Sequence, residues 1–246
     1  MIWASLRAEL DARHGRTLRV VDVGGGTGGF AVPLAEAGHH VTVIDASPDA
    51  LASLARRAEE AGVADRITAR QGDGDQLATL VPAGGADLVL CHSVLEEVDD
   101  PAAVMAAVAE ALCPGGVASI VVANRRGAVL ARALAGHLTA ATALLDDHGG
   151  RDAGQEGAGG RPGTGKAHRR FDADGATALV EAAGFTVEAV HGVRVVADLL
   201  DGDTLADVDP HALLDFELAA SGHPVLRDVA TQLHLLARRR DPAVAA

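Results

Sequence analysis

Tyrosine is absent from the 246 residues, and one Trp and four Phe bring the aromatic content to only 2%. Stacking platforms for splayed bases are therefore scarce. Cysteine is nearly as rare: Cys91 lies in an expected strand and Cys113 at an expected helix end, and the chain has only these two. Two such thiols form no disulfide framework, make no zinc site by themselves, and fit a reducing compartment. Positive charge is short, with 21 Lys and Arg against 34 Asp and Glu, for a formal net charge of −13. That balance argues against a protein that coats nucleic acid, because phosphate binding draws on Lys and Arg. No apolar run approaches the roughly 18 residues that a spanning helix needs, and no basic-then-apolar leader opens the chain. A soluble, cytoplasmic protein without a membrane partner is the expectation. No metal is expected either.

What the chain does have is apolar content, 48% over a length that suits one large or two small domains. We read it as one domain, residues 1–246. Its pivot is Val20-Val21-Asp22-Val23-Gly24-Gly25-Gly26-Thr27-Gly28-Gly29-Phe30, an apolar strand running into five glycines and out into a helix. Glycine admits positive φ and close approach of a ligand to the backbone. A helix N-terminus adds free N–H groups and the positive end of a dipole, which suits a nucleotide or a carboxylate. Two patterns share the turn. Gly24, Gly26 and Gly29 satisfy the dinucleotide fingerprint G-x-G-x-x-G, whereas Asp22, Gly24, Gly26 and Gly28 satisfy the acidic-x-G-x-G-x-G turn of enzymes that use S-adenosylmethionine.

Around that turn the chain alternates strands and helices. An amphipathic helix is expected over Met1–Arg13, with Ile2, Leu6 and Leu10 on one face. Strands are expected at Leu18–Val23, Val41–Ile44, Ile67–Arg70, Ala86–Cys91 and Val117–Ala123. The intervening helices carry explicit start and stop residues: Gly38 and Gly62 as terminators, Ser47-Pro48 and Asp100-Pro101 as starts, and Pro114-Gly115-Gly116 as a break. The continuous apolar run Ala86–Cys91 fits a parallel strand covered on both faces. The fold class is therefore α/β, a Rossmann-like doubly wound sheet with right-handed crossovers. Periodicity fails from His137 to Lys166, which predicts a flexible lid or insert over 137–170. A helix over Asp172–Ala183, strands at Phe185–Val196 and Thr231–Arg238, and a helix over Pro210–Ala220 complete the chain.

Asp45 ends the second strand 17 residues after Gly28, where a carboxylate can accept from both ribose hydroxyls of a nucleoside held at the glycine turn. The same charge disfavours a 2′-phosphate. Gln71-Gly72-Asp73 follows the third strand, where an acidic side chain can accept from an adenine amino group.

Two further segments separate the readings of the turn. Cys91-His92-Ser93-Val94-Leu95-Glu96-Glu97-Val98-Asp99-Asp100-Pro101, then Leu112-Cys113-Pro114-Gly115-Gly116, resembles the segments after strand four and strand five's approach in class I S-adenosylmethionine-dependent methyltransferases. The resemblance covers Leu18 to about Ile120. It implies a seven-stranded sheet with the last strand antiparallel and S-adenosylmethionine as cofactor. It places Gly24, Gly25, Gly26 and Gly28 under the methionine part, Asp45 on the ribose, Gln71, Gly72 and Asp73 around the adenine, and His92 near the sulfonium or the adenine edge. Glu96 and Glu97 are read as solvent-facing or structural.

Asn124-Arg125-Arg126-Gly127-Ala128-Val129-Leu130, Ala135-Gly136-His137 and Gly192-Val193-Arg194-Val195 are similar to the tRNA 5-carboxymethoxyuridine methyltransferase family. That resemblance implies methyl esterification of a carboxylate on a modified wobble uridine, with Arg194 binding the carboxylate; since such a carboxylate is already ionised at pH 7, no catalytic acid or base is expected. From Asn124 to Arg170 eight basic residues face four acidic ones, a local balance of +4 that includes Lys166, Arg169 and Arg170 and suits a tRNA partner. A methyltransferase acting on a small molecule, O- or N-directed, fits the acidic remainder of the chain, and a non-catalytic module binding the same cofactor is the third reading.

Overall fold

The computed structural model describes residues 1–13, 15–146, 151–152 and 168–241. In chain order the elements are α1 (Ile2–Ala12), β1 (Arg19–Val23), α2 (Ala31–Glu36), β2 (His40–Asp45), α3 (Pro48–Glu60), β3 (Ile67–Gln71), α4 (Leu77–Leu80), β4 (Ala86–His92), α5 (Pro101–Ala111) and β5 (Leu112–Ala123). They continue as α6 (Arg125–Leu134), α7 (Leu138–Asp146), β6 (Arg151–Asp152), β7 (His168–Arg169), α8 (Ala173–Ala182), β8 (Phe185–Val193), α9 (Gly202–Asp207), α10 (Pro210–Ser221), α11 (Pro224–Arg227) and β9 (Gln232–Arg239).

The local signals act where the sequence puts them. Ser47 accepts the Ala50 amide at 3.2 Å ahead of Pro48, and Asp100 accepts those of Ala102 and Ala103 at 3.0 and 3.1 Å ahead of Pro101. Gly38 closes the turn after α2 at φ +96°.

Among the described residues seven strands form one sheet in the order β3-β2-β1-β4-β5-β9-β8, antiparallel at its last strands, as the resemblance implies. The pairs β1–β2, β2–β3, β1–β4 and β4–β5 are parallel. Chain order therefore reverses between β1 and β4. In a doubly wound sheet the crevice beyond the carboxyl ends at that reversal is where ligands are held. β1 is buried from Val20 to Val23 and β4 from Ala86 to Cys91, whereas most of β3 is exposed, as an edge strand should be.

β8 ends at Val193 and not at Val196 as expected, which leaves Arg194 outside the strand, and three further features depart from the sequence reading. β5 begins at Leu112, because Pro114-Gly115-Gly116 is absorbed as a bulge: Ala86 faces Leu112 while Leu88 already faces Val117. Proline cannot donate to a ladder, so the strand loops outward there and resumes. Leu138–Asp146 is a helix where a lid is expected. Its Leu and Ala content carries high helix propensity even though Leu138 and Leu145 are exposed and blur the period. The rest of the expected lid, 147–150 and 153–167 with Lys166, lies outside the described residues. On α1 the covered face is Leu6 with Glu9 rather than Ile2, Leu6 and Leu10. Glu9 tolerates burial because Arg13 and Arg238 donate to its two oxygens at 2.9 and 3.1 Å.

By compactness the chain divides into two units, Trp3–Val121 with Thr177–Ala189 and Leu235–Ala246, and Met1–Ile2 with Val122–Ala176 and Val190–His234. The first holds Leu34, Ile44, Leu54, Leu88, Leu90 and Met105 fully buried. In the second, Val195, Ala220 and Ala230 pack together with Val196 and Leu226. There α6 approaches the 230–231 backbone so closely that a Cβ at Gly127 would lie 2.1 Å from the Ala230 carbonyl oxygen.

Candidate functional site

The glycine turn sits at the β1 end of the reversal. Gly24, Gly26 and Gly28 take φ values of +69°, +54° and +82°, in the left-handed region that favours glycine. The Gly24 amide donates to the Ile44 carbonyl at 2.7 Å, which pins the turn to β2, and that of Gly28 donates to the Gly25 carbonyl at 2.9 Å within the turn. Gly29 has no such constraint, and a Cβ on it would meet open space. The conformational requirement thus falls on 24, 26 and 28 and not on 24, 26 and 29. This separates the two patterns physically, in favour of acidic-x-G-x-G-x-G.

Asp22, the acid of that pattern, is buried beneath the turn, and a Cβ at Gly25 would come within 2.6 Å of its carboxyl. Burial, with the Asp45 charge adding to it, pushes the Asp22 carboxyl up from 3.8 to about 7. A carboxyl whose value is raised in the folded state stabilises the fold fully below its unfolded value and loses that contribution as pH rises toward the folded one. Asp22→Asn, which cannot ionise, should therefore match the wild type most closely near pH 4. Its relative stability should climb by up to about 1.4 kcal/mol per pH unit toward pH 7 and then level off. Melting curves of the two proteins across pH 4 to 8 check this; curves that run parallel contradict it.

β2 delivers Asp45 beside the turn. One carboxylate oxygen accepts the Gly26 amide at 2.8 Å and the other the Ser47 amide at 2.9 Å. Two oxygens offer about four lone-pair sites, so acceptor capacity remains for a ligand. Asp45 and Gln71 are register partners on β2 and β3, the Gly72 amide donates to the Asp45 carbonyl at 3.1 Å, and the Gln71 side chain donates to the Ala46 carbonyl at 3.4 Å. Asp73 is exposed at the start of a short 3-10 turn, Gly74–Gln76.

β4 ends on His92, whose Nε2 lies 2.9 Å from the Ser119 hydroxyl. Burial pushes its imidazole down to about 4, so it is neutral at pH 7. The Phe30 ring stands edge-on to it at 4.7 Å, and the Trp3 ring stacks on Phe30 at 5.0 Å. Next to it, Ser93 holds φ +56°, with its amide donating to the Val121 carbonyl at 2.9 Å. A non-glycine residue in that region is strained, and such strain clusters at ligand sites. The sequence reading missed Trp3, Phe30 and Ser119. The available signal was scarcity, since the single Trp and one of four Phe stand at this turn. Glu96 is buried, which leaves the structural alternative for it.

The structure therefore collects Gly24, Gly25, Gly26, Gly28, Asp45, Gln71, Gly72, Asp73 and His92 in the first unit, around the carboxyl ends of β1 to β4. Arg194 belongs to the second. It follows β8 at φ +58° with its side chain 59% exposed, and its Nη2 lies 3.0 Å from Asp198 Oδ1. Arg125 and Arg126 are committed to Asp172 and Asp228, each at 2.5 Å. Among the described residues no group of His, Cys, Asp and Glu could hold a metal ion, and no helix is long and apolar enough to cross a membrane.

A family model described as a methyltransferase domain matches residues 2–190. The chain is similar to the tRNA 5-carboxymethoxyuridine methyltransferase of Escherichia coli K12, 36% identical over 141 residues that make up 56% of this chain and 52% of that protein. A ubiquinone biosynthesis O-methyltransferase of Caulobacter sp. K31 is also 36% identical, over 137 residues covering 54% and 53%. The aligned part spans about half the length of these curated relatives. An S-adenosylmethionine-dependent methyltransferase structure from Mesorhizobium loti shares the fold with a TM-score of 0.62 at 23% identity, over 96% of this chain and 97% of that one.

Proposed function

Because the chain belongs to the methyltransferase domain family and takes S-adenosylmethionine as its cofactor, we propose that it esterifies the carboxylate of 5-carboxymethoxyuridine in tRNA. The observation that carries the acceptor is Arg194, a solvent-accessible guanidinium on a backbone at φ +58°. A residue held there needs its surroundings to hold it, and such an investment suits a binding group.

In this reading Gly24, Gly25, Gly26 and Gly28 receive the methionine part of the cofactor, Asp45 the ribose hydroxyls, and Gln71, Gly72 and Asp73 the adenine. The positive-φ glycines and the spare acceptor capacity of Asp45 fit that group. When bound, it supplies an electrophilic methyl on a sulfonium. His92, neutral at pH 7, adds no charge to repel a cationic sulfur. The acceptor carboxylate is already ionised at pH 7, so no residue need remove a proton. The protein's work is then positioning, which can contribute roughly 7–11 kcal/mol when reacting atoms are held near attack distance. Arg194 serves best by gripping one carboxylate oxygen and leaving the other to attack.

Arg194→Ala should lower kcat/KM for tRNA carrying the free acid by about 10- to 100-fold, the range of a charged hydrogen bond. The dissociation constant for S-adenosylmethionine should stay within about twofold, since that residue is assigned to the acceptor alone. Steady-state assays with calorimetry decide it, and equal losses in both would remove Arg194 from the acceptor site. The net charge of −13 favours a second reading, a small-molecule acceptor. Methylation of a metabolite with no binding of tRNA at low salt, where the phosphate contribution is strongest, would select it.

A further inference from the structure

The surroundings of Arg194 hold more than one arginine needs for exposure. Glu217, from α10, accepts three consecutive amides after it, those of Val195, Val196 and Ala197, at 2.8, 2.9 and 2.9 Å. The Thr231 amide donates to the Arg194 carbonyl at 3.3 Å. These contacts fix the backbone on both sides of the strained residue. Asp198 then bridges the assembly: Oδ1 faces the Arg194 guanidinium at 3.0 Å and Oδ2 accepts the Thr231 hydroxyl at 2.8 Å. A carboxylate is thus already seated on the group assigned to a carboxylate.

We propose that Arg194 is a carboxylate-exchange site, in which Asp198 occupies the guanidinium until the acceptor's own carboxylate displaces it, on a backbone that Glu217 holds in place. The inference rests on the reading of Arg194 given above. An exposed ion pair contributes little, because water and salt screen it and two side chains must be ordered to make it. Asp198 is weak enough to leave and close enough to return. While seated, it satisfies the guanidinium and discriminates against acceptors that lack a negative charge, since a neutral group does not compensate the arginine for losing Asp198. The methyl ester formed by the reaction is such a neutral group. Return of Asp198 would therefore favour product release.

The test titrates two probes, 5-carboxymethoxyuridine and its methyl ester, against the full chain and its Asp198→Asn and Arg194→Ala variants, with S-adenosylhomocysteine present. Asparagine keeps an acceptor for Thr231 and removes the competing charge. The Asp198→Asn protein should bind the acid about three- to fivefold more tightly, the upper part of the range of an exposed pair, with ester affinity unchanged. If Arg194→Ala weakens the acid while Asp198→Asn leaves it unchanged, the exchange is overturned and the acceptor reading stands. If neither variant alters acid binding, the acceptor reading itself fails. Equal changes for acid and ester in Asp198→Asn would mark Asp198 as a support of the fold and also overturn the exchange.

Discussion

Asp45→Ala is expected to weaken S-adenosylmethionine binding by about 100-fold, the largest effect on the cofactor of any single side chain. Asp45 stands at the end of β2 with each carboxylate oxygen already accepting one main-chain amide, Gly26 at 2.8 Å and Ser47 at 2.9 Å. A ribose adds two hydroxyl donors to the lone pairs that remain. Hydrogen bonds to a charged acceptor contribute about 1.5–3 kcal/mol each, so losing two of them, partly replaced by water, spans the 2.7 kcal/mol or so that a factor of about 100 represents. The alanine also frees the Gly26 amide inside the turn, which loosens the surface proposed to receive the rest of the cofactor. Asp45→Asn keeps one acceptor oxygen and should lose only about 10-fold. Calorimetric titration of the three proteins gives the ordering. An alanine variant that binds within about threefold of wild type would place the ribose elsewhere.

The parts of this site that were legible in the sequence are those where one residue type meets one backbone requirement. Gly24, Gly26 and Gly28 announce positive φ, Ser47 and Asp100 announce helix starts, and the apolar run of β4 announces a buried strand. Those signals are local, and together they place the reversal between β1 and β4 where the glycine turn opens. Other parts were not legible because they depend on residues distant in sequence. The Trp3, Phe30 and His92 rings meet only once α1, the turn and β4 are folded. Glu217 lies 20 to 22 positions from the amides it accepts, and no spacing rule links a carboxylate in α10 to a strained arginine after β8. The bulge at Pro114-Gly115-Gly116 was visible as a break, but its continuity with β5 depends on pairing with β4. α7 was hidden for a different reason: its exposed Leu138 and Leu145 erase the polar face that marks a surface helix.

Asn124→Asp, a change of one atom group at constant shape, is expected to destabilise the protein by about 3–5 kcal/mol at pH 8, the range for an uncompensated buried charge. Asn124 is fully buried at the start of α6. Its side-chain oxygen accepts the Arg126 amide at 3.1 Å, while its nitrogen donates to the carbonyls of Asp228 and Ala230 at 2.9 and 2.7 Å. The oxygen half is an ordinary helix cap, and aspartate reproduces it. The nitrogen half is the difficulty, because an ionised carboxylate turns a second oxygen toward two carbonyl oxygens in a site without solvent. Protonation relieves this in part, supplying one O–H donor for two acceptors. The carboxyl at 124 should consequently hold its proton far above the ordinary value near 3.9. By the sign rule for a raised folded-state value, its penalty is smallest at about pH 4 and grows as pH rises. Asn124→Ala lacks the charge: it loses the cap and strands two carbonyls, a pH-independent deficit of about 2–4 kcal/mol. Denaturant melts of both variants at pH 4.5 and 8 should therefore show the aspartate protein losing ground to the alanine protein as pH rises. A pH-independent gap between them would mean that water reaches the 124 side chain, and that the burial holding α6 against the 228–231 backbone is looser than these distances require.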